Sequence, residues 1–451
     1  MSNELDIWLS DRLVAHTVSR DRGNKVRIAY DDAVGATYGP EVPLLSCSLP
    51  TPGPSEPAKA GAFLEGLLPE GRALAAAAAQ VRGVRLLDGS PETPRDVVAL
   101  LAEYGRECAG AVVVVPEGVA PTLAGTYEPL DDEALALLIR DLPQRPLGTD
   151  LEHDVRMSLA GAQDKLLLAR VDERWCEPVG GAPSTHIIKP TTIWPHSAQN
   201  EALVLELGRT AGLLDTESWV EDMAGTTVLV VQRYDRRIEP GNIVRLHQED
   251  MCQAIGLRPK DKYDVGRPSD RMAKVLREFA DSPRPEIERL FRQVVFRAIV
   301  GDEDGHGKNY SLLLDDGRVT LAPLYDSLCT LAYGELSGEM GTRIGHQRSL
   351  AKVDRAALLD EARAMGLTQV EANQSLDDLA DALRQAIDTL SDRITRGWPG
   401  ERVIEIVAAR VERLQSGEPL GGPAAKSAKR LVQSSSRLSL DDATAARRPS
   451  L

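Results

Sequence analysis

Asp304 and Asn309 stand five residues apart in the stretch Gly301-Asp-Glu-Asp-Gly-His-Gly-Lys-Asn309, and another carboxylate, Asp326, follows in Leu321-Ala-Pro-Leu-Tyr-Asp326. An Asp and an Asn at that spacing match the catalytic loop of protein kinases. In that chemistry the Asp orients and deprotonates an attacking hydroxyl, the Asn carbonyl oxygen binds magnesium, and a further Asp supplies the second metal contact. The first reading is therefore phosphoryl transfer, with Asp304 as base and Asn309 and Asp326 as the metal pair.

The surrounding pattern predicts why these side chains meet. Ile287, Leu290, Phe291, Val294, Val295, Ala298 and Ile299 recur at helical spacing, so an amphipathic helix should end near Gly301. The apolar run Tyr310 to Leu314, the turn Asp315-Asp316-Gly317 and the run Arg318 to Leu324 read as a hairpin. An antiparallel hairpin returns its end beside its start. Asn309 and Asp326 should then share one open end.

Upstream, the small-residue loop Ser158-Leu-Ala-Gly-Ala-Gln-Asp-Lys165 precedes a strand-like run, Leu166 to Val171. Its backbone N–H groups could approach phosphates, although Gly161 is its one glycine and no Walker or kinase glycine motif is present. Lys189 ends the β-rich run Thr185-His-Ile-Ile-Lys189, a place from which an ammonium can reach nucleotide phosphates. Asn200-Glu201 opens a helix expected to run to Leu214. Glu201 could pair with Lys189, though complementing the helix dipole is the simpler reading. Val228 to Val231 followed by Gln232-Arg233-Tyr234-Asp235 reads as a strand running into a connector.

Composition bounds the rest. The 451 residues suffice for two or three domains, and 42% hydrophobic content is that of a globular protein. A net charge of −15 argues against a broad phosphate-binding surface, so any nucleic-acid role is expected to be indirect. Cys47, Cys108, Cys176, Cys252 and Cys329 are scattered without a Cys-x-x-Cys pair, which suggests neither zinc site nor disulfide framework. With no signal-peptide core and no apolar run long enough to span a bilayer, a cytoplasmic protein with no membrane role is expected. Short strands are predicted at Asp6 to Leu9 and Val26 to Tyr30, with a helix at Arg72 to Gln80 and a loop around Thr51 to Pro54.

The order of these parts, with Val231-Gln-Arg-Tyr-Asp-Arg236, His247-Gln-Glu-Asp-Met-Cys-Gln253, Leu67-Leu-Pro-Glu-Gly71 and Glu107-Cys-Ala-Gly-Ala-Val112, resembles the HipA-type serine/threonine kinase toxins of bacterial toxin–antitoxin systems. The resemblance covers roughly residues 5 to 400. It implies an α+β, bilobal kinase-like fold, with a β-rich N-terminal subdomain and a helical C-terminal subdomain enclosing ATP and magnesium. The expected division is a HipA-like N-terminal module at 1–115, a connecting segment at 116–149, a catalytic body at 150–415 and a disordered tail at 416–451.

Carried over by position, Lys189 pairs with the phosphates, and Ala160, Gly161, Ala162, Gln163, Asp164 and Lys165 line them. Gln232, Arg233 and Tyr234 contact adenine, His306 and Lys308 lie on the phosphate side, and Tyr325 lies near the nucleotide. Ser158 matches the family's autophosphorylation site, whose modification ejects the phosphate-binding loop. Gly307 replaces a common alanine, which is expected to loosen the catalytic loop slightly. Asp302 adds a second carboxylate near Asp304, which alone has the right spacing to Asn309. The implied partners are a small DNA-binding antitoxin of the HipB type, through which alone DNA is reached, and a protein substrate; aminoacyl-tRNA synthetases are targets within the family. Two alternatives remain at this stage. One is a metal-dependent phosphohydrolase using the Asp-Glu-Asp-Gly-His cluster, the other a silent kinase-fold binding protein.

Overall fold

In the first strand, Leu5, Ile7 and Leu9 turn inward, and a two-residue turn with Ser10 at positive φ returns the chain as Arg12–Arg20. A four-stranded antiparallel sheet results, in the order Lys25–Tyr30, Arg12–Arg20, Leu5–Leu9, Val112–Pro116. Helices Pro57–Gly66, Gly71–Gln80 and Pro94–Tyr104 complete this N-terminal layer, sharing its apolar core. Thr93 and Asp96 form a capping box at the last of these, with Pro94 in its first turn. The computed structural model describes residues 4–20, 25–122, 125–334, 339–391 and 399–421.

A second, six-stranded antiparallel sheet runs Ser218–Met223, Thr226–Gln232, His186–Pro190, Leu166–Val171, Arg174–Val179, Thr126–Pro129. Strand periodicity sorts its side chains between two faces. Ile188, Val228 and Val230 join Leu135, Leu138 and Ile139 of helix Asp132–Asp141 in a core beneath the sheet. Ile187, Lys189 and Val231 turn to the other face and line a cavity. The stretch 116–149, expected to connect, thus also supplies an edge strand and the helix that covers the sheet. The helix follows the acidic, helix-like pattern of Asp131 to Arg140, whereas the short strand Thr126–Pro129 is mostly exposed, as an edge permits, and carries no apolar alternation.

The remaining layer is mostly helical. Its largest core surrounds Pro283–Val300, flanked by Met272–Phe279, Arg355–Ala364, Gln369–Ser391 and Gly400–Ser416. The central helix ends as its periodicity predicts, with Gly301 in the left-handed conformation at φ 78°. The hairpin follows, Ser311–Asp315 pairing with Arg318–Leu321, and His247–Asp250 adds a third strand. At the C-terminal side, the disorder expected from 416 does not begin there: Leu420 is buried and its N–H donates to the Val353 carbonyl at 2.7 Å. The expected tail from 422 onward lies outside the described residues.

The N-terminal layer is locked to the rest at several places. Gly66 lies so close to Gln253 that a Cβ would fall 2.5 Å from its Cγ. At the hairpin turn, Tyr38 donates to Asp316 at 3.1 Å. The strongest lock is electrostatic. Glu107, only 1% exposed, accepts from Arg236 at 2.8 Å, Arg245 at 2.7 Å and Arg233 at 3.2 Å, and also from the Ser184 N–H and hydroxyl. Asp235 completes the cluster, pairing with Arg233 at 2.8 Å and accepting the Gly110 N–H at 2.7 Å. Burial by itself would raise the Glu107 pKa, but the three guanidinium groups outweigh it and bring it down to about 2.

Glu107→Ala leaves three buried arginines short of a counter-charge, a change expected to cost about 3–5 kcal/mol. Urea unfolding at neutral pH measures it. Because folding lowers this carboxyl from its ordinary 4.5, its contribution is complete above about 4.5 and is lost as the pH falls toward 2, and the stability difference between wild type and variant should shrink over that window.

Candidate active site

Arg297, on the last turn of the central helix, ties the loop 301–309 to the hairpin. Its guanidinium donates to Asp302 at 2.5 Å and to the carbonyls of Asn309 (3.0 Å), Tyr325 (2.7 Å) and Asp326 (3.0 Å). One buried cation therefore ties the loop after the helix to the far end of the hairpin. Asp302 also accepts from Ser327 at 2.9 Å and from the Asp304 N–H at 3.0 Å. With those oxygens engaged, Asp302 acts as a brace and leaves Asp304 as the carboxylate open to the cavity. Helical spacing gave no hint of Arg297, since an arginine near a helix C-terminus reads as a solvated, dipole-favoured charge.

Asp326 adopts a left-handed backbone, φ 49°, and its side chain remains 47% exposed to the cavity. The Asn309 amide donates to it at 3.0 Å, while the Asn309 oxygen accepts the His306 N–H at 3.1 Å. Lys189 sits between two carboxylates, 2.7 Å from Glu201 and 2.7 Å from Asp326. Of the two readings of Glu201, the ion pair is the one observed. Burial would lower the Lys189 pKa, but these neighbours outweigh it and hold the ammonium above its usual range. Burial would raise that of Asp326, yet Lys189, followed by Lys165 and Arg297, keeps it well below the usual carboxylate range.

The small-residue loop is held from the N-terminal layer. Ser158, fully buried, donates its hydroxyl to the Leu67 carbonyl at 2.6 Å, and the Glu70 N–H donates to the Gly161 carbonyl at 3.1 Å. Gly161 has φ 113°, and a Cβ there would lie 2.7 Å from the Lys165 ammonium. Lys165 donates to the Ala160 carbonyl at 3.3 Å; burial, with Lys189 nearby, lowers its pKa to about 8.

These parts open on one cavity of about 990 Å³. Lining it are Ala160, Gly161, Ala162, Gln163, Lys165, Lys189, Gln232, Arg233, Tyr234, Asp304, His306, Lys308, Asn309, Tyr325 and Asp326. Two of the residues selected from sequence do not line it: Ser158, which is buried behind the loop, and Asp164, which turns outward to Arg72 at 2.7 Å. Arg233 lines the cavity although its guanidinium turns away into the Glu107 and Asp235 cluster. Lys308 is similarly engaged, 2.5 Å from Asp250. The Tyr234 and Tyr325 rings lie 5.5 Å apart, and Tyr325 donates to the Lys308 carbonyl at 2.5 Å.

Sequence reasoning missed Arg297, Asp250, Lys262 and Tyr263, the last donating to Asp304 at 2.7 Å. Water excluded by the surrounding protein raises the Asp304 pKa; the Tyr263 hydrogen bond opposes that shift, and Asp302 and Asp326 add to it. The donor set suits a cation with nucleotide phosphates: an open carboxylate, a side-chain amide and two ammonium groups on one wall. Offering the Asn309 oxygen to a cation would take rotation of its amide. Among the described residues, no three His, Cys, Asp or Glu side chains converge as a metal-ligand cluster.

The HipA-like C-terminal domain family matches residues 157–387 and the HipA N-terminal domain family residues 5–115. The chain belongs to the HipA-type kinase family. A Sinorhizobium fredii relative named "Putative kinase Y4mE" is 35% identical over 403 residues, covering 86% of this chain and 93% of its own. The serine/threonine-protein kinase toxin HipA of Shewanella oneidensis is 26% identical over 360 residues, 76% of this chain and 80% of that one. The fold is that of HipA in the solved Shewanella oneidensis complex of HipA, HipB and operator DNA, with a TM-score of 0.77 at 23% identity, over 91% of this chain and 97% of that one.

Gly307 departs from the expectation of a looser loop. A Cβ there would stand 2.5 Å from Val265 Cγ2 and 2.7 Å from Cys252 Sγ, so this chain has filled the space an alanine methyl would occupy. Gly307→Ala is expected to cost about 1–3 kcal/mol through overpacking. A lowered thermal midpoint is the measurement that checks it.

Proposed function

We propose that the chain is a Mg-ATP-dependent serine/threonine protein kinase, the toxin of a toxin–antitoxin pair, limited by phosphorylation of its own Ser158. The observation that carries this reading is the gathering of Asp304, Asn309 and Asp326 on one cavity with the Lys189–Glu201 pair. Asp304 accepts the proton of a serine or threonine hydroxyl as its oxygen bonds to the terminal phosphorus and the bond to the ADP oxygen breaks. Lys189 and Lys165 offset phosphate charge, and the 160–165 backbone lies alongside. Asn309 and Asp326 would hold magnesium, which when bound neutralises charge on the phosphate oxygens.

Ser158 fits a switch for a physical reason. A phosphoryl group brings about −1.5 to −2 charges. The Ser158 hydroxyl here donates to the Leu67 carbonyl in a fully buried site, so a phosphorylated loop cannot reseat. The partner reading is a HipB-type antitoxin that carries the contact to DNA. The solved relative is a complex of that composition, and this chain's charge of −15 suits indirect contact. A cytoplasmic site of action belongs to the same proposal. The protein substrate belongs to this proposal only as a class, a Ser- or Thr-bearing protein such as an aminoacyl-tRNA synthetase.

Incubation with γ-labelled ATP and magnesium, followed by phosphopeptide mapping, tests the reading. Label should appear on the Ser158 peptide, and Asp304→Asn should lose at least ~10²-fold in rate. Release of free phosphate with no labelled protein would favour a hydrolase instead. A second expectation concerns pH. Because burial lowers the Lys165 pKa to about 8, the ammonium loses its charge as the pH rises through that value, and ATP affinity should fall with it. Calorimetric titrations from pH 6.5 to 9.5 should show that decline, and Lys165→Met should flatten it.

A further inference from the structure

Asp304 leans out into the cavity, and a carboxylate so placed needs something to fix its rotamer. Its backbone is fixed, since the Asp304 N–H donates to Asp302. Among the described residues, the one side-chain hydrogen bond given to its carboxylate comes from Tyr263, Oη to Oδ1 at 2.7 Å. Tyr263 is 53% exposed, so core packing does not account for its position.

What holds Tyr263 there is a set of contacts with both sides of the site. The ring meets the edge of the buried His306 ring at 5.1 Å, nearly perpendicular at 81°. Lys262 accepts the Gly307 N–H on its carbonyl at 3.1 Å, so the segment is stitched to the catalytic loop next to Asp304. The Lys262 ammonium bonds Glu70 at 2.9 Å and lies 5.6 Å from the centre of the Tyr263 ring. Glu70 is the residue whose N–H holds the Gly161 carbonyl. The phenol is thereby fixed relative to both the catalytic loop and the small-residue loop.

We propose that Tyr263 is a positioning residue for phosphoryl transfer: its hydroxyl clamps Oδ1 of Asp304 so that Oδ2 is presented to the incoming serine or threonine hydroxyl. The proposal rests on the reading of Asp304 as the base. It follows the general pattern in which a catalytic base is oriented by a third group. The hydrogen bond also favours the ionised carboxylate, the form able to take a proton, against the burial and the Asp302 and Asp326 charges that disfavour it. Tyr263, Lys262 and His306 are the other titratable groups beside Asp304. The Tyr263 phenol is raised far above its ordinary range by burial and by Asp304, while burial and Lys262 lower His306 to about 3, so neither changes charge near neutrality.

The test compares Tyr263→Phe with Asp304→Asn and the wild type in the full chain, using γ-labelled ATP and magnesium from pH 5 to 9 and recording ADP release and label incorporation. Phenylalanine keeps the ring against His306 and removes only the hydroxyl. The expected result is a roughly tenfold fall in kcat, the scale of one hydrogen bond to a charged group, with the KM for ATP unchanged. The acidic limb of the rate profile should move to higher pH, because losing a hydrogen bond to the ionised form raises the Asp304 pKa. A merely structural role would leave that limb in place. Wild-type kcat with an unmoved limb in Tyr263→Phe, beside an inactive Asp304→Asn, overturns the positioning role alone. Near-full activity in Asp304→Asn overturns the base assignment and this proposal with it.

Discussion

Glu107 is a carboxylate almost wholly removed from water, and such a group is tolerated only when its charge is met. Here it is met by three arginines from the end of the six-stranded sheet and the strands that follow. Much else depends on that neutralisation. Arg233 and Asp235 flank Tyr234 on the connector between the layers, so fixing their side chains fixes the backbone that lines the cavity. Glu107 itself belongs to the N-terminal layer. The segments 5–115 and 157–387, which match separate domain families, are consequently joined through a buried charge cluster rather than a slack linker.

The cavity is built on a similar economy of charge. Lys189 serves two carboxylates, and Arg297 serves one carboxylate and three carbonyls. Both cations are buried, and each holds together segments far apart in sequence. Asp326 remains open to the cavity while Asp302 is closed off, so two carboxylates in one neighbourhood divide into a cavity-facing group and a brace. The division comes from what each can reach, since the residue type is the same.

How much of this was legible varied with range. The helix Pro283–Val300, the hairpin turn at Asp316-Gly317 and the approach of Asn309 to Asp326 follow from local periodicity and turn chemistry, and they are where expected. The strand Arg12–Arg20 was missed, since His16, Ser19 and two arginines break up its apolar pattern. Arg233 lies at the cavity as its order along the chain predicts, while the direction of its side chain carried no local signal. Order gives the position of a Cα, whereas a long side chain goes where its counter-charge lies, here 126 residues earlier. Tyr263 and Arg297 carried no local signal, because the groups they serve are defined only once the loop has folded.

The hairpin turn near residue 316 touches Tyr38, and the loop at 158–161 leans on Leu67 and Glu70. Contacts of such long separation form late. During synthesis the first hundred residues leave the ribosome well before the segments they will anchor, and wait without their partners. Lys189, Asn309 and Asp326 cannot meet until translation has passed the hairpin.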